Sequence, residues 1–108
     1  METDKKVTAE SYTLKTPTGQ WLGQITMTSD GMISGMTDWG VFVVTWRSFG
    51  DNFKKFIIGI DQHYFGTKIY GAMNVMMPPN RKFEQSCMRV SEKILPELQK
   101  VLKEEFAS

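Results

Sequence analysis

Cysteine and histidine are scarce in this sequence, which has one of each, Cys87 and His63. A single cysteine excludes a disulfide within the chain and a zinc site built from several thiolates. No apolar run approaches the roughly 20 residues of a membrane-spanning helix, and the polar start lacks the apolar segment of a signal peptide. From these absences we expect a soluble protein of a reducing cytoplasm, with no membrane contact, metal or cofactor.

Charge of one sign is not in large excess, because the formal net charge is +1 at pH 7. This value argues against a protein that binds polyanions without specificity. The charge is unevenly distributed, with net values of −2 over residues 1–46, +4 over residues 47–82 and −1 over residues 83–108. The basic middle segment would become a positive patch if its side chains meet on one surface.

What the sequence does contain is a series of alternating apolar and polar residues that predicts four β-strands. The strands cover residues 12–16, 21–28, 32–36 and 41–46, and the last is the richest in β-branched and aromatic residues. Their short, turn-forming links predict an antiparallel meander. We expect both faces of the last strand to be largely buried, and residues 1–10 to form a flexible tail before a single domain of residues 11–108.

The apolar period then changes to that of helices. One stripe predicts a helix, and its members are Phe53, Phe56, Ile57 and Ile60. We expect this helix to begin after an N-cap at Asp51, or with a capping box of Ser48 and Asp51, and to end or bend by Gly66. Residues 67–72 are ambiguous, and residues 73–80 are typical of a loop. A second stripe predicts a helix over residues 81–106, which we expect Pro96 to kink or break because its length of about 39 Å exceeds the diameter of such a domain. The predicted fold class is α+β, with both helices packed on the four-stranded meander.

The ionisable residues form no recognisable catalytic or metal-binding pattern. Asp61 and His63 are the only pair that suggests acid–base chemistry, but residues two apart on a helix do not face each other. Cys87 lies on the apolar stripe of the last helix, where a free cysteine packs as a small apolar residue. We therefore expect a surface histidine, a core cysteine and a protein that is not an enzyme.

Two other groups of residues suggest binding surfaces. The first is Met73, Met76 and Met77 beside a Pro-Pro pair, since flexible methionines suit adaptable protein interfaces; the alternative is a loop folded over the core. The second combines cations with aromatic rings, as in proteins that bind single-stranded nucleic acid; the alternative is that the rings fill the core and the cations are merely solvated. The cations are Arg47, Lys54, Lys55, Lys68, Arg81 and Lys82, and the rings are those of Trp39, Phe49, Tyr64 and Phe65.

Several strings in the sequence have a familiar form. The string DGMISGMTDWGVFVVTWRSFG, followed by FKKFI, YFGTK and MRVSEKILPELQKVLKEE, resembles a set of small proteins encoded by bacteriophages and prophages. The resemblance extends from about residue 11 to residue 105 and rests on fold-forming residues. That family has no assigned activity, so it implies no site residues. It does imply a setting, which is a phage accessory protein acting in the cytoplasm of an infected bacterium.

Two hypotheses about function follow. The first is a protein-binding module that engages a host protein. Inhibition of a bacterial defence or nuclease complex is one form of this hypothesis. The alternative is a nucleic-acid-binding accessory protein of phage replication or recombination. A homodimer is a further option, because the stripe of the last helix would also serve as a dimer seam. The candidate partner-binding residues are Met73, Met76, Met77, Arg47, Lys54, Lys55, Lys68, Arg81 and Lys82.

Overall fold

Strands precede helices in the computed structural model, which describes residues 6–75 and 77–107. The strands within these residues are β1 (Ala9–Lys15), β2 (Trp21–Thr28), β3 (Met32–Thr37) and β4 (Gly40–Thr45). The helices are α1 (Phe53–Ile58), α2 (Gln62–Met73) and α3 (Arg81–Ala107). Each strand pairs antiparallel with the next, in the order β1-β2-β3-β4. The predicted α+β class and the predicted meander are confirmed.

The first strand begins earlier than the sequence pattern indicates. Ala9 pairs with Thr28 across the β1–β2 ladder, so the last two residues assigned to the tail belong to β1. Two hydrogen bonds extend the pairing further, because the Ser29 N–H donates to the Thr8 carbonyl at 2.8 Å and the Thr8 N–H donates to the Ser29 hydroxyl at 3.0 Å. Residues 1–5 of the expected tail lie outside the described residues.

Only one face of β4 is buried, so the prediction that both are buried is wrong. Phe42 and Val44 point into the core, whereas Val41 and Val43 keep 68% and 46% of their surface exposed. The reason is that the helices cover one side of the sheet. Side chains on that side pack with α2 and α3 into one core, whose fully buried members include Ile25, Ile33, Phe65, Ile69, Ile94 and Leu98.

The helical region contains an element that sequence reasoning missed. The α2 helix runs through residues 67–72 with Gly66 inside it, so the prediction that a helix ends at Gly66 is wrong. A Cβ atom at this position would lie 2.5 Å from Met88 Sδ and 3.2 Å from Met88 Cα. Glycine therefore allows α2 to approach α3 closely without displacing Met88.

The junction between α1 and α2 is fixed by caps and by one long side chain. Asn52, and not the predicted Asp51, caps α1, since its Oδ1 accepts the Lys55 N–H at 3.2 Å. The α1 helix ends at Ile58, and the α2 helix begins after its N-cap, Asp61. Gln99 Nε2 of α3 donates to the carbonyls of the connecting turn, at 3.0 Å to Ile57, 3.1 Å to Ile58 and 2.8 Å to Ile60.

The α3 helix continues through Pro96 and does not break there. Its 27 residues correspond to about 40 Å at 1.5 Å per residue. The domain accommodates this length because it is flat and extended, with dimensions of 46 × 39 × 20 Å. Pro96 leaves the Glu92 carbonyl without its helical partner, on an exposed residue that water can reach. Within the described residues, no helix has the length and apolar character needed to cross a membrane.

Candidate binding surfaces

Lys54, a predicted partner-binding residue, is engaged by the protein itself. Its Nζ lies 2.7 Å from Glu10 Oε1 and 3.2 Å from Glu105 Oε2, and 5.8 Å from the ring centroid of Tyr12. Partial burial opposes the charge, but the hydrogen bonds to these three residues outweigh it and raise the pKa of Lys54. The same ammonium group, above all through its hydrogen bond, lowers the pKa of Glu10. We call these four residues the Lys54 cluster, and it ties β1, α1 and α3 together.

The other predicted cations are spread over the molecule. Lys55 lies over the ring of Phe106 at 5.4 Å, near the end of α3, and Lys68 lies over the ring of Trp46 at 5.7 Å. Arg47 is exposed in the loop after β4, and Arg81 and Lys82 are exposed at the start of α3. The start and end of α3 are separated by about 40 Å. The basic middle segment therefore does not form one continuous patch.

The aromatic residues of the same prediction divide between the core and the surface. Phe65 is fully buried, and Phe49 is half-buried, with its ring centroid 4.9 Å from that of Phe53. Trp39 and Tyr64 are exposed at 36% and 41%, and the Tyr64 hydroxyl accepts the Trp46 Nε1–H at 3.0 Å. Trp39 and Tyr64 are therefore the exposed rings of this prediction.

The methionine group lies at the end of α2. Met73 Sδ accepts the backbone N–H of Val43 at 3.4 Å, so this side chain reaches the open edge of β4. Met77 is exposed, and Met76 lies outside the described residues. The loop that follows is tied back to α2, because the Tyr70 hydroxyl accepts hydrogen bonds from Asn74 Nδ2 at 3.1 Å and from the Asn80 N–H at 3.0 Å.

An apolar surface on the open face of the sheet was missed by sequence reasoning. It consists of Met36, Val41, Val43 and Met73, which we call the outer apolar surface. Met36 and Val41 are direct partners in the β3–β4 ladder, and all four side chains line one open depression of about 340 Å³. The signal was present in β4, where valines occupy both alternating faces. The sequence did not show whether helices cover one face of the sheet or both.

A second depression lies beside the first turns of α3. Its volume is about 250 Å³, and its lining consists of Trp39, Lys82, Gln85, Ser86 and Arg89. We call it the Trp39 pocket. Lys82 and Trp39 were candidates from the sequence, whereas Arg89 was overlooked because it falls in the segment of net charge −1. The seven-residue spacing of Lys82 and Arg89 was the available signal, since it places both on one side of a helix.

The residues considered for catalysis have ordinary structural positions. Asp61 Oδ1 accepts the Tyr64 N–H at 2.7 Å as the cap of α2, and His63 is exposed in the first turn of that helix. Cys87 is buried in the core, as predicted. Burial is the main cause that raises the pKa of its thiol, and the negative charge of the nearby Glu84 is a smaller one. Among the described residues, no group of three or more His, Cys, Asp or Glu side chains is arranged to hold a metal ion.

The architecture is thus that of a small two-layer α+β protein with two exposed surfaces of distinct chemistry. A family model described as a phage family matches residues 1–89, and the chain belongs to that family. The match covers the sheet, α1, α2 and the first turns of α3, and it confirms the resemblance to small phage-encoded proteins. No curated protein and no solved structure matches the chain at a significant level.

Proposed function

We propose that this phage-family protein is a non-catalytic binding protein that docks a host protein on its outer apolar surface. The observation that carries the proposal is the exposure of four adjacent apolar side chains. Met36 and Met73 are exposed at 51% and 38%, beside the two exposed valines of β4. A contiguous exposed apolar cluster usually marks an interaction site, because its burial in a complex is favourable at about 25 cal/mol per Å².

The surroundings of this cluster support a protein as the occupant. Residue pairing places Thr13, Gln24, Met36 and Val41 in one row across the four strands. The open face therefore changes from polar at β1 to apolar at β4. An apolar patch that adjoins polar surface is compatible with a protein interface. The two methionines add side chains that adapt their shape to a partner.

The edge of β4 offers backbone contacts next to the same surface. Val43 donates its N–H to the thioether of Met73, which is a weak acceptor. A carbonyl of a partner strand would be a stronger acceptor, so pairing along this edge would be favourable once Met73 turns aside. The partner would then bury the apolar side chains and extend the sheet at the same time.

Membership of a phage family supports a bacterial host protein as the partner. The most specific form of this proposal is that binding inhibits a bacterial defence or nuclease complex. The absence of catalysis is part of the proposal. It is supported by the cap, surface and core positions of Asp61, His63 and Cys87.

The test compares two aspartate substitutions on the same face of the sheet. Val41→Asp places a charge in the outer apolar surface, whereas Thr13→Asp places it in the same row at the opposite, polar edge. The tagged protein is incubated with nuclease-treated bacterial lysate, and a captured host protein is purified and titrated by calorimetry. We expect Val41→Asp to weaken binding at least tenfold and Thr13→Asp to leave it within about twofold, with both variants as stable as the parent protein.

Three results would contradict the proposal. They are equal binding by both variants, capture of a host protein from untreated lysate but not from nuclease-treated lysate, and a parent protein that forms a dimer which Val41→Asp dissociates. The last result would assign the outer apolar surface to self-association.

A further inference from the structure

The Trp39 pocket combines an exposed ring with two cations and two neutral polar groups. Its lining contains no carboxylate, although the chain has nearly as many acidic as basic residues, 12 and 13. We infer that this pocket binds single-stranded nucleic acid, with one base stacked on Trp39 and the adjoining phosphates on Lys82 and Arg89. The site uses other residues than the outer apolar surface and does not depend on the proposed host partner.

The fold holds the Trp39 ring in place beside α3. Trp39 lies in the turn between β3 and β4, where its N–H donates to the Thr37 hydroxyl at 3.0 Å. That hydroxyl in turn donates to the Gly40 carbonyl at 2.8 Å, which closes the turn. The indole also borders an apolar crevice shared with Phe83 and Cys87. It is therefore supported by the end of the core while it remains exposed toward the pocket.

A row of cations continues from the pocket along α3. Lys82, Arg89, Lys93 and Lys100 are separated by seven, four and seven residues, so they lie on the side of the helix away from the buried Ile94 and Leu98. All four cations are exposed, and none forms an ion pair with another described residue. The row is about 27 Å long. The phosphates of nucleotides beyond the one stacked on Trp39 would therefore contact Lys93 and Lys100.

The chemistry favours a single strand over a duplex. Base stacking on an aromatic side chain requires an unpaired base, and every base offers a face for it. The cations supply contacts to phosphate, and the Gln85 amide is able to hydrogen-bond the edge of a base. The Ser86 hydroxyl donates to the Lys82 carbonyl at 3.1 Å, so it offers a base only its acceptor lone pairs. Glu92 and Glu97 both fall between Lys82 and Lys100 along α3, so we expect moderate affinity with a strong dependence on salt.

The test measures the fluorescence anisotropy of a labelled oligothymidylate of about 12 nucleotides, a length within the usual range of such sites. Trp39→Ala should weaken binding about tenfold, whereas Trp39→Phe, which keeps an aromatic ring, should retain most of it. The double variant Lys82→Ala/Arg89→Ala should weaken binding at least tenfold and lower the slope of log Kd against log salt by about 1.4, or 0.7 for each lost phosphate contact. Lys15→Ala, an exposed cation on β1, is the matched control and should change Kd less than twofold.

Binding by Trp39→Ala equal to that of the parent protein, equal affinity for a duplex of the same length, or no binding in low salt would each overturn the inference. Val43→Asp, which alters the outer apolar surface at a residue that does not line the crevice beside Trp39, should bind the oligonucleotide like the parent protein. That result would support two independent sites, and it would hold even if no host protein is captured.

Discussion

At the scale of single residues, Lys54 illustrates how a side chain that looks available in the sequence is used within the fold. Lys54 and Lys55 are adjacent and share one residue type, yet Lys54 joins Glu10 and Glu105 whereas Lys55 only lies over the ring of Phe106. The two carboxylates come from positions 10 and 105, nearly the whole chain apart. Local sequence patterns do not indicate such a long-range pairing, so the Lys54 cluster was not predicted.

Replacing Lys54 tests the cluster. Lys54→Met keeps most of the side-chain length but leaves Glu10 and Glu105 without their cation. Because the cluster is partly exposed, we expect the free energy of unfolding to fall by only about 1 kcal/mol. Lys55→Met should change it by less than roughly 0.5 kcal/mol. Urea denaturation of both variants measures the difference, and equal losses would contradict a special role for Lys54.

The same cluster predicts a dependence of stability on pH. The hydrogen bond from Lys54 lowers the pKa of Glu10 in the folded state, so Glu10 favours folding at pH values above its unfolded pKa, near 4.5. This contribution is lost as the pH falls through the lower, folded pKa. The stability difference between the parent protein and Lys54→Met should therefore shrink as the pH is reduced from about 6 to about 3. A difference that stays constant over this range would show that Glu10 does not mediate it.

At the scale of elements, glycines of the same helix have opposite roles. A Cβ at Gly66 would overlap Met88 of α3, whereas a Cβ at Gly71 would have no atom within 4 Å. Gly66→Ala should lower the free energy of unfolding by about 1–3 kcal/mol through overpacking. Gly71→Ala should raise it by about 0.5–1 kcal/mol, because alanine is the better helix former. Thermal unfolding of the two variants gives the signs, and stabilisation by both substitutions would contradict the close α2–α3 contact.

This contrast explains how far the sequence predicts the elements. The span of β2 and the four-stranded meander follow from alternation and turn residues, which act over a few positions. The α2 helix was missed because a glycine that permits helix packing looks the same in a sequence as one that ends a helix. The exposed face of β4 was missed for a related reason, since valine suits both a buried strand and an open sheet face.

For the candidate sites, the sequence supplied residue types but not their neighbours. The methionine group shares one residue, Met73 at the end of α2, with the outer apolar surface. The predicted set of cations was chosen by segment charge, but the fold places Lys55 near the end of α3 and Arg81 and Lys82 at its start. Arg89 and Lys93 were overlooked although their spacing from Lys82 was readable as one helix side. Helical spacing was therefore the more informative signal, but it becomes useful only when the buried side of the helix is known.

At the scale of the whole molecule, stability depends on a part of α3 that lies beyond the family match. The match ends at residue 89, yet Ile94, Leu95, Leu98 and Leu102 are all fully buried. Loss of one buried leucine typically costs about 2–5 kcal/mol, and a whole domain has only about 5–15 kcal/mol of stability. The second half of α3 is therefore required for the sheet to have a core to pack against.

Truncation gives the corresponding prediction. A chain that ends after Leu95 loses Leu98, Leu102, the Gln99 bonds to the α1–α2 turn and the Glu105 arm of the Lys54 cluster. We expect it to show no cooperative unfolding transition by circular dichroism and to expose apolar surface to a dye. A chain that ends after Phe106 keeps all of these contacts and should melt within a few degrees of the parent protein. Cooperative melting of the shorter chain would mean that the sheet and the first half of α3 form a sufficient core, and that the later leucines only lengthen it.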